Sequence, residues 1–168
     1  MAIRGRALLR MLLVPAAVAL AACSTQAAPD TAGTAPAQAE GRHPVSGLEV
    51  TDLTVTSGGQ VHRFRVEVAA TPQDQARGLM FRTAMGADEG MIFPLAQVRM
   101  ASFWMRNTVI PLDIIFIGPD NRILNIAAMT TPYSEEPIPS IAPAKAVLEL
   151  NGGRAEQLGI APGDLVEW

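Results

Sequence analysis

The sequence predicts a mainly β (α+β) domain, a compact and partly closed barrel-like sheet carrying two short helices. Three observations point there. Short runs rich in branched aliphatic and aromatic residues recur along the chain: LEVTDLTV, VHRFRVEVA, MIFPL, ASFWM, PLDIIFI, RILNIAAM, AVLEL and LVEW. Two pairs of consecutive runs are joined by turn sequences, Ser57-Gly58-Gly59-Gln60 and Gly118-Pro119-Asp120-Asn121. Only two stretches combine helical spacing with helix stop or start signals.

The first two runs form a hairpin. In the second, His62, Phe64, Val66 and Val68 alternate with Arg63, Arg65 and Glu67. That period of two predicts a half-buried strand with Glu67 on the polar face. The first helix follows in TPQDQARGLMFR, where Thr71 can cap, Pro72 suits the first helical turn and Asp74 favours the positive end. Ala76, Leu79 and Met80 share a face, and Gly78 keeps the helix short. The second helix is expected around Arg154 to Leu158, with Gly159 as its stop. Tyr133 to Pro143 contains three prolines, Pro137, Pro139 and Pro143, and reads as an irregular loop.

The N-terminus reads as an address. MAIRGRALLR is basic, MLLVPAAVAL is apolar and shorter than the about 20 residues of a membrane span, and Leu20-Ala21-Ala22 precedes Cys23. Residues 1–22 therefore read as a signal peptide, and the cut site resembles a bacterial lipoprotein box with Cys23 as the lipidated residue. Ser24 after the cysteine implies the outer membrane in the enterobacterial sorting pattern. Residues 23–46 read as the lipidated cysteine and a disordered tether rich in Ala, Pro and Thr. The domain proper is expected from 47 to 168. The expected location is the cell envelope, lipid-anchored and facing the periplasm, with the membrane as a partner through Cys23.

Composition excludes several classes. Cys23 is the only cysteine, so a disulfide framework and a catalytic thiol in the domain are both excluded. Removing Arg4, Arg6 and Arg10 with the leader leaves ten basic against sixteen acidic residues, a net charge of −6. Such a chain lacks the basic stripe of a nucleic-acid binder, so no nucleic-acid partner is expected. His43 and His62 stand far apart with no HExxH or CxxC, so no metal and no cofactor is expected. Gly152-Gly153-Arg154 before a short helix offers amides to an anion, although such glycines more often only end a strand.

The stretch FWMRNTVIPLDIIF, residues 103 to 116, holds the remaining chemistry. Alternation along PLDIIFI puts apolar residues on both faces, so Asp113 is expected inside, where a carboxylate must be paired or hydrogen-bonded. Arg77 and Arg106 are the expected partners. Trp104 reads chiefly as core, and Glu149, alternating with Leu148 and Leu150, reads as a solvent-facing residue or a site residue.

RGLMFR at 77–82, GMIFPL at 90–95, FWMRNTVIPLDIIFI at 103–117, VLELNGG at 147–153 and the GIAPGD that follows together resemble the domain-of-unknown-function family 192 over about residues 50 to 168. The resemblance implies a compact β-rich domain, often exported, and no established reaction. Its motif positions fall here on Arg77, Gly78, Leu79, Met80, Gly90, Met91, Trp104, Met105, Asn107, Thr108, Pro111, Asp113, Glu149 and Gly153. The candidate ligand-binding set is Arg77, Met80, Trp104, Met105, Asn107, Asp113 and Glu149: apolar walls with a few polar groups. No catalytic residue is assigned.

Three functions remain open from the sequence. The domain binds a small polar ligand without catalysis; or Asp113 and Glu149 act as a paired acid and base on a glycan; or the loop from Thr131 to Pro143, with Tyr133 and Ile138, engages an envelope protein.

Overall fold

The computed structural model describes residues 41–168. The segments expected as signal peptide, lipidated Cys23 and most of the tether lie outside the described residues. The described residues form nine strands: β1 (Val50–Ser57), β2 (Gln60–Val68), β3 (Glu89–Arg99), β4 (Ser102–Phe103), β5 (Leu112–Ile117), β6 (Ile123–Ala127), β7 (Ile138–Pro139), β8 (Ala144–Asn151) and β9 (Leu165–Glu167). The two helices are α1 (Pro72–Arg77) and α2 (Arg154–Leu158).

Seven strands form one sheet in the order β6-β5-β8-β3-β2-β1-β9. All neighbours are antiparallel except β2 and β3, which run parallel because α1 carries the chain across. The sheet curls until its edges meet: an Arg122–Leu165 bridge joins the start of β6 to β9, and the Val166 amide donates to the Asn121 carbonyl at 2.8 Å. This is the partly closed barrel expected from the strand count.

The curl divides the apolar residues into two layers. The inner layer includes Leu53, Phe64, Val66, Ile92, Ile115, Leu148 and Leu150, with α2 contributing Ala155. The outer layer is Leu79, Met91, Phe93, Met105, Leu112, Ile114 and Val147, with Phe103 and Ile138 packed on it. Both faces of β5 are sealed, all six of its residues being buried. Phe93, Phe103 and Phe116 hold the outer layer in two edge-to-face contacts, with centroids 5.1 and 6.1 Å apart. Gly90 is dictated by closeness: a Cβ there would lie 2.5 Å from the Glu149 carbonyl oxygen and 2.8 Å from Leu150 Cδ2.

Local signals explain α1. Thr71 Oγ1 accepts from the Asp74 amide at 3.1 Å, and the Asp74 carboxylate accepts from the Thr71 amide at 3.2 Å, a reciprocal cap.

Four expectations change. The stretch from Tyr133 to Pro143 is not wholly irregular, since β7 pairs with β4 through Ser102–Pro139 and Phe103–Ile138. Residues 41–46 are not free tether: Arg42 bridges Glu49, and Ser46 Oγ donates to the Glu67 carboxylate. Glu67 is buried rather than solvated, because this segment folds over its face of β2. Trp104 is not core, being 49 % exposed where the chain leaves β4.

Candidate functional site

The sequence set separates into two places on opposite faces of the sheet. Across β5 and β8, Asp113 stands opposite Leu150 and Ile114 opposite Glu149. Side chains alternate along a strand, so Asp113 points into the inner layer and Glu149 into the outer one. They cannot act together on one bond, and the paired-carboxylate expectation is withdrawn.

Asp113 is fully buried, but neither Arg77 nor Arg106 reaches it. Oδ1 accepts from the amides of Met129 and Gly153, and Oδ2 from the amide of Ala155, each at 2.8 Å. Gly153, at φ 83°, turns the chain so that these amides converge. The anion that the Gly-Gly-Arg amides were suited to hold is the protein's own Asp113. Its carboxylate caps the start of α2, whose N-cap residue has no side chain to do so. Two other motif residues are also structural. Met105 is buried, and its Sδ accepts from Thr130 Oγ1 at 3.1 Å. Asn107 makes a left-handed turn at φ 54°, and its carbonyl accepts from the Phe81 amide at 2.8 Å.

Glu149, Arg77, Met80 and Trp104 do come together. They line a cleft of about 230 Å³ over the outer face, beside α1. Phe93, Phe103 and Leu95 supply further apolar wall, and Thr108 a hydroxyl. Arg99 and Arg106 join Arg77 at the exposed rim. Arg106 lies over the Trp104 ring at 5.6 Å and 3.7 Å from the Glu135 carboxylate. Arg99 donates to the neighbouring Met100 carbonyl. Among the described residues no ion pair involves Arg77.

Glu149 lies at the bottom. It is 5 % exposed, between Met91 and Ile114 on the adjoining strands, both fully buried. Its carboxyl forms no ion pair among the described residues. Loss of hydration lifts it from the ordinary 4.5 to about 8, so it is largely protonated near neutrality. A neutral carboxyl offers one donor and an acceptor to whatever occupies the cleft. Replacing it tests this directly. Its folded pKa lies above its unfolded value, so the folded state keeps a proton that the unfolded chain releases above pH 4.5. Stability therefore falls as pH rises from 4.5 through about 8. Glu149→Gln is expected to flatten this slope in urea titrations across that range. It should match wild type at the acid end and exceed it by a few kcal/mol at the alkaline end, taking about 1.4 kcal/mol per pKa unit. Parallel pH curves for the two proteins would show that Glu149 is not the buried neutral acid described.

A third buried acid, Glu67, was not legible in the sequence. Glu67 receives both Arg82 guanidinium nitrogens, at 2.7 and 3.0 Å, as well as Ser46 Oγ, with His43 Nδ1 3.6 Å away. Strand register places it in one row with Met91 and Glu149 on the outer face. Nothing in the period-two pattern of β2 signalled this, because the covering residues come from 43–46 and from beyond α1.

The protein-family model DUF192, described as "Uncharacterized ACR", matches residues 53–168. The chain belongs to the DUF192 family. Two solved structures are similar to this DUF192 chain. One, a protein of unknown function from Novosphingobium aromaticivorans DSM 12444, is 57 % identical, with a TM-score of 0.75 over 81 % of this chain and 94 % of that one. The other, from Sinorhizobium meliloti 1021, is described as "a putative transcription regulator". It is 39 % identical, with a TM-score of 0.70 over 71 % of this chain and 94 % of that one. No curated protein matches. The DUF192 domain thus has a family and a fold, and its activity must be argued from the cleft.

Proposed function

We propose that this DUF192 protein is an exported, lipid-anchored envelope protein whose domain binds a small organic ligand in the cleft above Glu149 and does no chemistry on it. One observation carries the binding reading: a carboxyl almost wholly removed from water, with no charged partner among the described residues, lies at the bottom of a cleft with aromatic and aliphatic walls and an arginine rim. A carboxyl held out of water with no ionic partner is costly in a fold, and a site that awaits a ligand accounts for one. The cleft has a single acid, and its hydroxyls, on Ser102 and Thr108, have no histidine or second carboxylate in the lining to activate them, which favours binding over catalysis. The acidic balance of the chain argues against nucleic acid, so the regulator description of the Sinorhizobium relative is not carried over.

Trp104 provides the readout. In a Trp168→Phe background, titration with small envelope metabolites should give a saturable change in tryptophan emission, and Trp104→Ala should weaken binding about tenfold or more. A ligand that binds tightly yet leaves Trp104 and the amides around Glu149 unshifted in NMR spectra would place the site elsewhere.

The anchor rests on the Leu-Ala-Ala-Cys pattern. Cys23→Ser should move the protein from the membrane pellet to the soluble periplasmic fraction. A wild-type protein without a lipid-modified Cys23 in its mass spectrum would remove the anchor from the proposal.

A further inference from the structure

We infer that the cleft takes a small organic acid, with its carboxylate at Arg77 on the rim, an apolar body between Trp104 and the phenylalanines, and a hydroxyl against Glu149. This deepens the small-ligand reading and rests on it.

Charge decides the rim. Three guanidinium groups, on Arg77, Arg99 and Arg106, surround an opening whose lining contains a single carboxyl, Glu149. Arg106 already stacks on Trp104 beside Glu135, and Arg99 is engaged with a backbone carbonyl. Arg77, at the end of α1, forms no ion pair among the described residues and is the cation available to a ligand. Guanidinium recognises carboxylate through two parallel hydrogen bonds, whereas an ammonium group would be repelled at this rim.

Depth decides the other end. Below the rim the walls are Met80, Leu95, Phe93, Phe103 and the Trp104 ring, which offer no ionic partner. At the bottom the Glu149 carboxyl requires a partner that can both accept and donate, which a hydroxyl does and a second anion does not. Size limits the whole: about 230 Å³ lies below the roughly 300–1,000 Å³ of sites for drug-sized molecules. One ring or a short chain with two polar ends fits this description.

Four matched probes test the assignment on the complete purified protein: 4-(hydroxymethyl)benzoate, its amide, the corresponding benzylamine, and 4-methylbenzoate, which lacks the inner oxygen. Binding is followed by calorimetry and by NMR shifts at pH 6.5. The hydroxymethyl benzoate should bind at least tenfold tighter than the other three. Arg77→Ala should erase its advantage over the amide, and Glu149→Met its advantage over 4-methylbenzoate. Both substitutions leave the fold's two buried carboxylate networks intact, so a thermal midpoint no lower than that of wild type marks the losses as losses of recognition. Preference for the amine, or equal binding of acid and amide, overturns the organic-acid assignment while leaving a small-ligand cleft standing. Equal binding of 4-methylbenzoate overturns the role given to Glu149. No binding by any of the four at millimolar concentration overturns this inference, while the ligand-binding reading of the cleft is decided by the Trp104 titration.

Discussion

Replacing Asp113 by Asn should cost this protein about 3 kcal/mol or more of unfolding free energy, although the change is nearly isosteric. Three backbone donors converge on the carboxylate, two on Oδ1 and one on Oδ2, each at 2.8 Å. An asparagine satisfies one pair through its oxygen and turns an NH₂ group toward the remaining amide. A fully buried site then holds donor against donor, and an unsatisfied buried amide costs roughly 1–3 kcal/mol beyond the charge-assisted bond that is lost. Asp113→Ala should be worse, since it strands all three amides and leaves the start of α2 uncapped. Urea unfolding of the three proteins checks this. A lowered midpoint with an unchanged slope is expected. An Asn variant as stable as wild type would mean that the carboxylate is kept for something other than the fold.

The second large effect is expected at Arg82. Its guanidinium and the Glu67 carboxylate are both almost wholly buried and doubly hydrogen-bonded, at 2.7 and 3.0 Å. Breaking a buried pair by removing one partner costs about 3–5 kcal/mol, because the other charge remains without compensation. Arg82→Met should therefore destabilise strongly. The double variant Arg82→Met/Glu67→Gln should recover part of the loss, since no stranded charge remains. The same pair should govern the N-terminal segment, because Ser46 and His43 meet Glu67 there. In Arg82→Met, amides of residues 43–48 should exchange with solvent faster than those of β8. Additive single and double effects would show that the two residues are not coupled, contrary to the geometry.

These two networks show where local sequence stops being informative. Several elements were legible because their causes lie within a few residues. Thr71, Pro72 and Asp74 cap α1 through contacts no more than three positions apart. The Ser57 to Gln60 turn joins two runs whose alternation sets the β1–β2 register. The apolar residues on both sides of Asp113 announced a strand covered on both faces, and β5 is one. A buried carboxylate in need of partners was also readable at Asp113.

The partners were not readable, for a physical reason. Asp113 is satisfied by amides 16, 40 and 42 positions away, which carry no side-chain signature because every residue but proline has one. Glu67 looked solvent-facing because alternation reports only that two faces differ, not which of them another segment covers. Trp104 looked like core because size and apolarity favour burial, yet the chain leaves β4 at that point, beside the cleft.

What the sequence determined by itself is therefore every described strand but β7, both described helices, their local turns and caps, and the family motif, all products of short-range sterics and periodicity. Only the tertiary structure decided which of the motif's polar residues are struts and which line a cavity. The curl of the sheet turned Asp113 inward onto a helix end and Glu149 outward under a rim of arginines, and alternation along adjacent strands made that division unavoidable once the register was set.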